Sequence, residues 1–149
     1  MKDGPERDLQ ARYIERARAT GRALGFTTID LVELPEGRAN RTADRKAEEA
    51  RAILERAGEG VLIVLDENGS APDSVEFSAM LQKFNAQGEK SLTFVIGGAD
   101  GVGDELLTKA TKRIAFGAMT MPHQLVRILL VEQIYRAMTL LSGHPYHRV

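Results

Sequence analysis

Three stretches of the chain carry residue types and spacings able to do chemistry. The first is "IGGADGVG", Ile96 to Gly103. Glycine lets backbone come close to a bound group. A loop that follows an apolar strand and precedes a helix is where α/β proteins hold ligands. It is not G-x-G-x-x-G, because Leu106 stands three residues after Gly103, and no lysine follows to make a phosphate loop. A tight turn needing positive φ accounts for it equally well. The second is "FGAMTMPH", Phe116 to His123, which enters a helix through Pro122. Its small residues and unbranched methionines suit a flat apolar slot, or plain core filling.

The third stretch is the terminus, "GHPYHRV", Gly143 to Val149. Disordered tails are poor in aromatics, and this one is not. His144 and His147 read H-x-x-H, but no further ligand accompanies them, so no metal site is expected. No serine sits in a nucleophile-elbow motif. What remains is Tyr146 to stack on a base, with His144, His147 and Arg148 for phosphate or a polar base edge. A tail that docks on its own domain is the competing reading.

Charge is distributed unevenly behind a balanced total. The chain has 149 residues, 20 of them basic and 21 acidic, so no overall basic excess announces a nucleic-acid binder. From Pro122 onward, however, Arg127, Arg136, Arg148 and all three histidines face one acid, Glu132. From Glu59 to Glu89 the acids Glu59, Asp66, Glu67, Asp73, Glu76 and Glu89 face only Lys83. Cysteine is absent, which excludes disulfides and thiolate chemistry and suits a reducing cytosol. The start, "MKDGPERDLQ", has no apolar core of a signal peptide, and no apolar run approaches a bilayer span. A soluble cytoplasmic protein without a membrane partner is expected.

The elements that must position these residues alternate. Pro5 opens a helix with Leu9, Tyr13, Ala17 and Leu24 on one face, ending near Gly25. "FTTIDLVEL", Phe26 to Leu34, is β-branched and reads as a strand. After a polar basic loop, Pro35 to Thr42, Thr42 is placed to cap a charged helix to about Ala57. "GVLIVLD", Gly60 to Asp66, and "SLTFVIGG", Ser91 to Gly98, read as buried parallel strands. Between them Phe77, Met80, Leu81 and Phe84 mark a helix. A short helix around Asp104 to Lys112 and a strand from Arg113 to Met119 lead into a last helix, Pro122 to about Ser142. Leu125, Ile128, Leu129, Val131 and Ile134 make that helix apolar on more than one side, so it is deeply buried or meets another subunit. Arg127, near its start, reads most simply as part of an exposed salt bridge. The pattern predicts one α/β domain with a mainly parallel sheet flanked by helices.

Together, "FVIGGADGVG", "FGAMTMPHQLVRILLVEQIYRAM" and the terminal "HPYHR" resemble the RlmH family of the SPOUT superfamily of knotted methyltransferases. The likeness covers nearly the whole chain, and "VLD" at Val64 to Asp66 also fits its place. It implies a single domain over residues 1–149 whose part from about 90 to 149 is threaded into a deep trefoil knot, a rare exception to unknotted connections. It implies S-adenosyl-L-methionine as cofactor, held by Leu65, Gly98, Gly117, Ala118, Met119, Thr120, Met121 and Pro122. The activity implied is N3 methylation of a pseudouridine in 23S rRNA of assembled ribosomes, by a homodimer packed through the last helix. Arg127, Tyr146, His147 and Arg148 would bind RNA. Arg136, His144 and His147 would be catalytic: a cation beside the ring favours the imide anion, and His144 or His147 is the base if the protein supplies one. Family members begin with a short apolar strand and a Gly-Lys pair ahead of the equivalent of "KDGPE". With Met1-Lys2 at that place, either the start is misassigned or this version lacks that first strand. A non-catalytic ribosome- or RNA-binding module, and a SPOUT methylase acting on tRNA, are the alternatives on the same scaffold.

Overall fold

The computed structural model describes residues 4–26, 29, 31, 36–89, 91–97 and 101–148. Helix α1, Pro5–Gly21, has proline in its first turn together with Glu6 and Asp8, which favour the positive end of the helix dipole. It buries Ile14, Ala17 and Gly21 and runs into a single 3-10 turn, Arg22–Leu24. The strand expected from Phe26 to Leu34 lies for the most part outside the described residues. Helix α2 is Thr42–Ala57, as the charge pattern predicts. Thr42 is its first helical residue rather than its cap: the capping position is Arg41, which supplies no side-chain cap. Thr42 Oγ1 instead accepts from Arg45 Nη2 at 3.0 Å.

Strand β1, Val61–Ser70, is longer than its apolar run. Helix α3, Ser74–Ala86, starts on a reciprocal cap: Glu76 N–H donates to Asp73 Oδ1 at 2.7 Å, and the Glu76 side chain reaches back to Asp73 N–H. Phe77, Leu81 and Phe84 are its buried stripe, and Met80 is half-buried. Strand β2, Leu92–Ile96, helix α4, Asp104–Lys109, strand β3, Lys112–Ile114, and helix α5, His123–Ser142, complete the series. Strand β3 stops well before Met119, because after Ala115 the backbone leaves the ladder.

Among the described residues the sheet has three strands in the order β2-β1-β3, all parallel. The central strand buries Val61 to Val64 on both faces, which is why that run is continuously apolar rather than alternating. The chain packs as two compact units. One comprises Val32–Ala71 and Glu89–His123 and holds the sheet. Its core joins Leu62, Val64 and Val95 of the sheet to Ala50 of α2 and Leu106 of α4. The other comprises Met1–Leu31, Pro72–Gly88 and Gln124–Val149, and holds α1, α3 and α5. There Tyr13 of α1 meets Tyr135 of α5, their ring centroids 6.2 Å apart. Gly21 closes on Met138 so tightly that a Cβ would come within 3.3 Å of its sulfur. Ser74 Oγ of α3 donates to Gln133 Oε1 of α5 at 2.8 Å.

Candidate functional site

In the sheet-bearing unit, three segments meet where β2 and β3 end beside the middle of β1. Leu65 of the central strand pairs with Ile96 on one side and Ile114 on the other. The glycine loop leaves directly after Ile96, and residues 115–122 follow Ile114. Parallel sheets bind ligands at this edge, where loops part from the strand ends. The glycine loop closes on itself: a Cβ at Gly97 would sit 2.7 Å from Val102 and 2.8 Å from Gly101. Gly101 has φ +85°, so the tight turn read from the sequence is present. Gly98 lies outside the described residues.

Leu65 and Gly117 are half-buried, as is Met121, while Ala118, Met119, Thr120 and Pro122 are exposed. Met119 is 82% exposed, far beyond what a core methionine shows. A Cβ at Gly117 would meet nothing within 4 Å, so space beside this turn is open. No charged side chain stands in residues 115–122. Apolar side chains around open backbone suit a flat heterocycle and a short carbon chain.

In the helical unit, the tail leaves α5 along a fixed course. Gly143 takes φ +78°, in the left-handed region. His144 N–H donates to Thr139 O at 2.9 Å, and Gly143 N–H to Leu140 O at 3.4 Å. This pair of bonds is the Schellman ending of a helix. It turns the chain back along α5 and brings Tyr146 and His147 over the preceding turns.

There the tail meets a hub at Glu132. Its Oε1 accepts from Arg136 Nε at 3.0 Å, Arg136 Nη2 at 2.6 Å and the Tyr146 hydroxyl at 3.1 Å. Its Oε2 accepts from Gln133 Nε2 at 3.0 Å. The Arg136 and Glu132 side chains are 23% and 14% exposed, so the pair is well shielded. The hydrogen bond to Glu132 raises the Arg136 pKa above its usual value against the opposing effect of burial. Burial, followed by hydrogen bonds to Tyr13 and Glu132, pushes the Tyr146 phenol well above its ordinary range. Its ring lies under Arg136, 4.9 Å from the guanidinium carbon, and edge-on to Tyr135 at 4.6 Å.

The two histidines differ. Arg136 Nη1 lies 3.1 Å from His147 Nδ1. Guanidinium can only donate, so this nitrogen accepts and the ring proton sits on Nε2. His144 is exposed, and its ring makes no hydrogen bond among the described residues. Arg148 is exposed, whereas Arg127 is half-buried and already engaged. Thus Arg136, Tyr146 and His147 come together, whereas neither the His144 ring nor the Arg148 side chain joins the hub among the described residues. Glu132, Tyr13 and Tyr135 are given no role in a site by the sequence. The spacing of Glu132 and Arg136, four apart on a helix, is the signal that could have found the first.

Among the described residues no group of His, Asp or Glu could hold a metal ion, and no helix is long and apolar enough to cross a membrane. The profile of a family described as "Predicted SPOUT methyltransferase" matches residues 1–147, so the chain belongs to the SPOUT methyltransferases, in their RlmH branch. A protein of Methylocella silvestris named ribosomal RNA large subunit methyltransferase H is 55% identical over 99% of this chain and 92% of its own length. Proteins of the same name from Rhizobium rhizogenes and a Bradyrhizobium strain are 51% and 52% identical, covering 94% and 93% of their lengths.

Proposed function

We propose that this protein methylates N3 of a pseudouridine in 23S rRNA of assembled ribosomes. It does so with S-adenosylmethionine, in the cytoplasm of a bacterium, as one catalytic domain with the knotted path of its family over residues 90–149. The observation that carries this reading is the convergence of Leu65, the glycine loop and residues 115–122 at one sheet edge. It occurs in a chain whose relatives at about half identity are named as rRNA methyltransferases.

The chemistry assigns the remaining roles. When bound, the cofactor supplies a methyl group on a positively charged sulfur, which keeps the bonding pair on transfer. The target N3 is an imide nitrogen and must shed its proton to attack. Positioning that nitrogen in line is worth several kcal/mol, on the order of 7–11 at best. Arg136, held charged by Glu132, is the cation that favours the imide anion. His147 Nδ1 already accepts from Arg136, so His144, with its unengaged ring, is our choice of group to take the proton. Arg148 and Arg127 serve the RNA backbone, and Tyr146 sets the edge against which the target base rests.

Homodimerisation through α5 belongs to the same reading. Leu125 and Leu129, one turn apart on this helix, are 47% and 38% exposed. A second copy of α5 would cover them, and a two-fold pairing would double the small basic surface of the tail. Mass spectrometry of rRNA from a deletion strain tests the function. Loss of N3 methylation, restored by the gene, is expected, and unchanged methylation would defeat the reading. Calorimetric titration with S-adenosylmethionine separates an enzyme from a binding module, since a module would give no heat of binding.

A further inference from the structure

The loop before α2 is held in a way its own packing does not explain. Residues 36–41 are Glu-Gly-Arg-Ala-Asn-Arg, with no large apolar side chain to bury. Fixing each such residue costs chain entropy with no burial to offset it, so a loop of this kind is ordinarily left loose. Four side-chain contacts nevertheless fasten it to α2. Gly37 N–H donates to Glu49 Oε1 at 3.3 Å, and Arg38 N–H to Glu48 Oε2 at 2.9 Å. Arg45 Nη1 donates to Ala39 O at 3.2 Å and Asn40 O at 3.0 Å. Gly37 lies so close to the helix that a Cβ would stand 2.8 Å from Arg45 O.

The fastening has an electrostatic outcome. Glu48 and Glu49 face backbone N–H groups of the loop and do not pair with its arginines. Arg38 and Arg41 are exposed, and their side chains make no hydrogen bond or ion pair among the described residues. Two guanidinium forks are thus presented to solvent on a pinned backbone. An adjacent face of the same helix supports the glycine loop: a Cβ at Gly103 would lie 2.9 Å from Lys46 O and 3.3 Å from Ala50. One helix therefore ties this loop and the glycine loop into a common frame.

We propose that residues 36–41 form a second RNA-contacting surface, in which Arg38 and Arg41 clamp phosphates of the rRNA flanking the target nucleotide. This rests on the rRNA-methylating reading above. Guanidinium matches phosphate in bidentate fashion, and phosphate contacts set register without reading sequence. A protein partner fits less well, because the loop lacks the apolar or aromatic anchor that centres such interfaces.

The test uses the full chain and ribosomes purified from a strain lacking the modification. In the double variant Arg38→Gln/Arg41→Gln, KM for ribosomes should rise about tenfold, and the log–log salt slope should fall by about 1.4, two single-strand phosphate contacts' worth. Its kcat, cofactor affinity and melting temperature should match the parent. The double variant Arg38→Lys/Arg41→Lys should keep the parent's salt slope, because charge sets it, while its KM falls between those of the parent and the Gln variant, because the bidentate fork is lost. A parent that turns over, alongside a Gln variant with unchanged KM and salt slope, overturns the loop proposal alone. A parent with no turnover overturns the enzymatic reading instead. Because the chain has no cysteine, Arg41→Cys offers a unique site for a photo-crosslinker. Capture of rRNA is expected, and capture of ribosomal protein only would also overturn the proposal.

Discussion

Glu132 shows how one side chain organises the tail. It accepts from Arg136, Tyr146 and Gln133, so its removal leaves shielded donors without a partner. Glu132→Ala should cost about 2 kcal/mol in urea denaturation, as hydrogen bonds to charged groups do; a loss below about 0.5 kcal/mol would show the hub is not structural. Tyr146 adds a pH signature. Its ordinary pKa is 10.0 and the folded value is raised, chiefly by burial. Folding therefore favours the neutral phenol. The stabilising difference is flat through neutral pH, and stability declines as pH rises above 10, where only the unfolded phenol ionises. Tyr146→Phe should lose that component of the alkaline decline in melting curves, and an identical slope in both proteins would refute it. At this scale the sequence was partly legible. The tail residues stood out by type, but Glu132 showed only as the one acid among the cations after Pro122. Tyr13, far off in the chain, carried no sign that it would reach Tyr135 and Tyr146.

At the scale of elements, patterning spoke clearly wherever burial was continuous. The apolar runs at Val61 and Leu92 became adjacent parallel strands, and Phe77, Leu81 and Phe84 became a buried stripe. Short or polar elements were harder to read. Strand β3 covers only Lys112–Ile114, because the apolar residues after it line a loop rather than a ladder. Thr42 looked like a cap, yet the arginine that follows in the first turn takes its hydroxyl. The ending of α5 rests on Gly143 at φ +78°. Gly143→Ala should cost about 1 kcal/mol through left-handed strain. It should also lower kcat while cofactor binding by calorimetry stays the same. A drop in cofactor affinity as large as the drop in kcat would mean that the turn serves the wrong half of the site.

For the whole molecule, near-zero net charge concealed local fields. The acids of Glu59 to Glu89 offset the cations of the tail and of the loop before α2 in the sum, though they stand apart from them along the chain. RNA binding depends on that local potential. Leu125 and Leu129 belong to this scale too, since the apolar arc of α5 exceeds what one chain buries. Leu125→Glu combined with Leu129→Glu should convert a dimer to a monomer in sedimentation analysis. A monomeric parent would remove the dimer from the picture. What composition could not disclose was the division into two units, because each is assembled from separated stretches and no linker marks the boundary.

The cluster of Tyr13, Tyr135 and Tyr146 has an optical consequence. These are the only three tyrosines, and the chain has no tryptophan. Near-ultraviolet circular dichroism and intrinsic emission are therefore sensitive to whether the tail is seated against α5. The protein carries its own spectroscopic gauge of tail docking, readable without any label while ribosomes, cofactor or salt are varied.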